Sequence, residues 1–73
     1  MTTTVLRKIR TDLGILQRRL ADVSGVPRPY ISLAETGRYV PSDEQMKRLR
    51  DALREHGATV EPDTDLLAAV EDA

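Results

Sequence analysis

The side chains of this 73-residue chain that could do chemistry are hydrogen-bond donors and cations, gathered between residues 17 and 39. Arg28, Pro29, Ser32, Leu33 and Thr36 fall at helical spacing on the outward side of one short segment, while Ile31 and Ala34 fall inward. Only Arg28 carries the forked donors that fit O6 and N7 of guanine. Pro29 and Leu33 offer apolar surface that suits a thymine methyl or a protein partner. Gln17, Arg18, Tyr30, Thr36, Arg38 and Tyr39 flank this face with donors that suit phosphate oxygens, which position a duplex without reading it. For Arg18 and Arg19 a solvated helix face fits the sequence equally well. Catalysis has no such support. The chain has one histidine, no cysteine, no glycine loop to cradle phosphate and no carboxylate pair set for acid–base work. We therefore expect no enzyme, no cofactor and no metal. His56 beside Gly57 reads as a helix end, and Asp63-x-Asp65 lacks the glycine and distal glutamate of a calcium loop.

These side chains need two short helices to carry them. The spacing predicts one over residues 17–23, with Leu20 and Ala21 inward, and a second over 28–35. Gly25 stands where the reversal requires positive φ, Ala21 is small where the helices cross, and Val26 can plug the corner. The pattern fits a helix-turn-helix whose second helix enters the major groove, with a plain αα-hairpin as the alternative. Leu16 precedes the first of these helices and cannot cap it. Pro27 and Pro29 open the second, where proline is tolerated but offers no amide to a phosphate.

Val5, Leu6, Ile9 and Leu13 predict an earlier helix, capped by Thr3 or Thr4 behind a frayed start and ended by Gly14. After Gly37, a loop from Arg38 to Pro41 would run beside the DNA backbone. Ser42-Asp43-Glu44-Gln45 is a capping-box pattern, and Met46, Leu49, Ala52 and Leu53 give the apolar stripe of the helix that follows.

Gln17-x-x-Leu20-Ala21, Gly25-Val26, Ile31-Ser32, Glu35-x-Gly37-Arg38 and Pro41-Ser42 together resemble the lambda-repressor/Cro-like helix-turn-helix family, also called the xenobiotic-response-element family. The resemblance runs from about residue 6 to residue 53. It implies an all-α fold, a compact bundle of four to five short helices. It also implies a structural ion pair between Arg10 and Glu35. Ser24 departs from the pattern, standing where an apolar residue is common, as Leu16 does where a capping residue is usual. The implied function is a small DNA-binding transcription regulator of phage or bacterial repressor type. The alternative is a protein-interaction module or antitoxin-like protein that binds a host protein.

One domain fits the length, and so small a domain buries only about 60% of the surface its unfolded chain exposes. Two tyrosines are the only aromatics, so the core must be aliphatic. Residues 1–55 hold all eleven Lys and Arg against seven acids; residues 56–73 hold five acids and no Lys or Arg. The formal net charge of −1 thus hides a basic body and an acidic tail. Neither a membrane-length apolar run nor a secretory segment is evident, so a cytoplasmic location is expected. The division expected is a helix-turn-helix domain over 1–57, then a linker and an acidic C-terminal helix over 58–73. Leu66, Leu67 and Val70 would share one side of that fifth helix and could join two copies into a homodimer on an inverted-repeat operator. The competing arrangement folds them onto their own chain.

Overall fold

Thr4 ties the start of the chain to Glu35. Its hydroxyl oxygen accepts from the Arg7 backbone N–H at 3.3 Å, which caps a helix, and donates its proton to the Glu35 carbonyl at 3.1 Å. The computed structural model describes residues 2–71. In chain order it has strand β1 (Thr2–Thr4), helices α1 (Val5–Asp12), α2 (Gln17–Ser24), α3 (Arg28–Glu35) and α4 (Asp43–Glu55), and strand β2 (Ala69–Glu71). No helix is long and apolar enough to cross a membrane among the described residues.

The core is aliphatic. Leu6, Leu20, Val26, Ile31, Leu49, Leu53 and Leu66 are its largest fully buried side chains, and α2 packs against both α3 and α4. The capping box is formed: Ser42 Oγ accepts from the Gln45 N–H at 3.2 Å, and Gln45 Oε1 accepts from the Ser42 N–H at 3.1 Å. With Asp43 and Glu44 in the first turn, this end of α4 is well matched to its dipole.

Two expectations are corrected here. The start of the chain is not frayed over Thr2–Thr4, and no fifth helix forms among the described residues. Instead β1 and β2 pair antiparallel, with Thr3 opposite Val70 and Thr4 opposite Ala69. The reason lies in α1, whose first N–H groups have no partner within the helix. The Val5 N–H donates to the Ala68 carbonyl at 3.0 Å and the Leu6 N–H to the Leu66 carbonyl at 2.8 Å. A helix over these residues would consume its own carbonyls, whereas an irregular segment leaves them free. Asp65 caps a turn by accepting from the Leu67 N–H at 3.0 Å. Val60, expected within a linker, is buried in the core, and its carbonyl accepts from Arg54 Nε at 2.7 Å.

Candidate nucleic-acid interface

The corner between α2 and α3 is built from three consecutive residues. Gly25 closes α2 at φ 75°, its N–H donating to the Ala21 carbonyl at 2.9 Å. A Cβ there would sit 3.6 Å from Arg48 Nη1, an ordinary contact, so backbone conformation and not crowding selects glycine. Ser24 is buried and its Oγ accepts from the Val26 N–H at 3.2 Å, pinning the turn. This gives the departure at Ser24 a purpose: a hydroxyl replaces apolar bulk with a hydrogen bond. Val26 then fills the corner, 1% exposed.

At the ends of α2 and α3 away from the corner, one carboxylate ties three helices together. Arg10 of α1 donates through Nε and Nη2 to Glu35 at the end of α3, the latter at 3.0 Å to Oε1. Gln17, the first residue of α2, donates through Nε2 to the same Oε1 at 3.0 Å. The remaining Arg10 nitrogen, Nη1, donates to the Ile15 carbonyl at 2.8 Å. Both charged side chains are largely removed from solvent, yet each hydrogen-bonding arm is occupied.

α3 presents Arg28, Pro29 and Leu33 outward, with Ser32 half-buried among them and its C-cap Thr36 exposed beside them. At about 100° per residue, Arg28 and Tyr30 stand on opposite flanks of that face. Arg28 leans toward α2, where it lines a shallow cleft of about 390 Å³ with Arg10, Leu16, Gln17 and Arg18. Tyr30 leans the other way, its ring centroid 5.0 Å from that of Tyr39 in the loop after α3. Ion pairs among the described residues engage Lys8, Arg10, Arg48 and Arg54, and none engages Arg18, Arg19, Arg28 or Arg38. Un-neutralised positive charge therefore borders α3 at both of its ends.

The start of α3 offers little by itself. Pro27 occupies the N-cap without a side-chain bond, Pro29 has no N–H, and the Tyr30 N–H donates to the Pro27 carbonyl at 3.0 Å. Apart from the Arg28 N–H, an anion held here must be held by side chains. Two flanking residues also have their hydrogens engaged. Thr36 Oγ1 donates back to the Leu33 and Ser32 carbonyls at 3.1 and 3.3 Å. The Tyr39 hydroxyl donates to Gln45 Oε1 at 2.8 Å. Capping-box spacing pointed to Gln45 as a helix-start residue, but no sequence signal joined it to Tyr39.

The C-terminal side chains divide. Leu66 is fully buried against its own chain, which removes it from the exposed face expected for a dimer contact. Leu67 is half-buried and packs at the edge of that core, and Val70 is half-buried in β2. Asp72, in the acidic tail, lies outside the described residues.

An aliphatic bundle whose second and third helices meet at a glycine corner, with an outward third helix, defines a helix-turn-helix protein. The helix-turn-helix family model matches residues 6–60, and the chain belongs to that family in its lambda-repressor/Cro-like form. A curated relative from Methanothermobacter thermautotrophicus, described as an uncharacterized HTH-type transcriptional regulator, is 44% identical over 54 residues, covering 73% of this chain and 78% of its own. No solved structure gives a significant match.

Proposed function

We propose that this protein is a sequence-specific DNA-binding transcription regulator of repressor type that docks α3 in the major groove. Arg28 is the principal base reader, by paired donation to guanine, and Pro29, Ser32 and Leu33 tune shape and methyl contacts. Arg18, Arg38 and Tyr30 hold the phosphates. So do Thr36, after releasing its bond to its own helix, and the second amide hydrogen of Gln17. The observation that carries this reading is the exposed α3 face bordered by arginines that pair with no carboxylate among the described residues. The relative's description as a transcriptional regulator supports it. One α3 supplies few base contacts, so two copies acting on an inverted repeat would double them. Leu67 and Val70 remain the candidates from the C-terminal segment for such a contact. Repression would follow from occupying the operator and obstructing polymerase.

A protein-interaction module is the second reading, favoured by Leu16, Leu33 and Val40 standing 65%, 41% and 75% exposed. Selection of bound duplexes from a random pool separates the two. Enrichment of an inverted repeat supports DNA recognition, and a pool that shows no enrichment supports the protein partner.

A further inference from the structure

Tyr39, in the loop beside α3, joins Tyr30 of α3 by ring packing to Gln45 of α4 by a hydrogen bond whose direction is fixed. The Ser42 backbone N–H donates to one end of the Gln45 side-chain amide at 3.1 Å, so that end must be the oxygen. The Tyr39 hydroxyl lies 2.8 Å from the same oxygen and must therefore be the donor. A phenol has one proton. With that proton on Gln45, Tyr39 presents only lone pairs elsewhere, and lone pairs repel a phosphate. The Tyr39 ring meanwhile packs against that of Tyr30, tilted by 31°. Tyr30 is 42% exposed, and its hydroxyl has no hydrogen-bond partner among the described residues.

We infer that Tyr39 and Gln45 are positioning residues for DNA binding: they hold the Tyr30 ring so that its free hydroxyl meets a phosphate, and touch no DNA themselves. This rests on the reading of α3 as a DNA-binding helix, and it changes the direct phosphate contact expected of Tyr39 into an indirect one. The physical gain is pre-organisation. A solvent-exposed phenol must give up ring freedom when it binds, and a ring already packed on an anchored neighbour gives up less. The anchor is the capping box of α4, so one glutamine both starts a helix and sets a contact on the neighbouring element. A hydroxyl is neutral, so this contact adds affinity without releasing a counterion.

The test is a double-mutant cycle on duplex binding with Tyr30→Phe, Tyr39→Phe and the pair, each also checked by urea unfolding and measured across salt concentrations. Tyr30→Phe should weaken binding to all sequences by about fivefold, the worth of one neutral hydrogen bond, with the salt slope unchanged. Tyr39→Phe should weaken binding in the wild-type background and have no further effect once Tyr30 is Phe. Gln45→Leu should show the same dependence on background, even though it also weakens the helix cap. A loop that merely lost stability would weaken binding equally in both backgrounds. Additive losses, or no loss from Tyr30→Phe, overturn this inference while leaving DNA binding intact. Wild-type protein that binds no duplex overturns the functional reading, and this inference with it.

Discussion

Arg10 and Glu35, twenty-five residues apart, meet in a two-pronged ion pair that fixes the far end of α3 to α1. Their side chains are 11% and 2% exposed, so removing either strands a buried charge. Arg10→Ala and Glu35→Ala should each cost about 3–5 kcal/mol in urea unfolding. A loss of only a few tenths would mean that the pair is not buried in solution.

Leu66 should behave as a core residue of a single chain. Leu66→Ala should cost about 2–5 kcal/mol, the range for a buried leucine truncated in a packed core. The loss should be the same at low and high protein concentration. A loss that vanishes on dilution would place Leu66 between two copies.

Gly25→Ala should destabilise by about 1–2 kcal/mol, because the corner needs a left-handed residue and alanine resists that conformation. Since a Cβ meets only the far end of Arg48 at 3.6 Å, Arg48→Ala should not rescue it. Rescue would show that steric contact, not backbone conformation, selects the glycine.

The four helices were legible in the sequence because their signals are local: apolar spacing, glycine ends and the Ser42–Gln45 box. The resemblance also placed Arg10 beside Glu35, which spacing alone could not have done. The C-terminal segment departs from its sequence pattern for a physical reason. Leu66, Leu67 and Val70 suit one side of a helix, but carbonyls in that stretch serve the unpaired amides of α1, and only the tertiary structure reveals that demand. Val60 likewise sits among Ala58 to Pro62, where composition suggests a linker, and packing decides otherwise. At the candidate site the outward face of α3 could be read from periodicity. The bond from Tyr39 to Gln45 could not, because it joins a loop to a helix start with no spacing rule between them.

Arg28 and Arg38 should fail differently. Arg28→Ala should cost about 1–3 kcal/mol of DNA affinity and relax preference at one base pair, since it removes paired donors to one base. Arg38→Ala should weaken all sequences alike and reduce the salt slope by about one. Competition binding against single-base operator variants distinguishes them. Identical sequence profiles for both mutants would contradict this division of roles.

The most direct test of the central claim, that α3 and its flanks form the DNA-binding face, is an amide chemical-shift titration of isotope-labelled protein with a selected duplex. The largest shifts should fall on residues 17–18 and 28–39, with α1 and the exposed side of α4 little changed. Shifts concentrated on α4 and the β1–β2 sheet, with α3 silent, would contradict it.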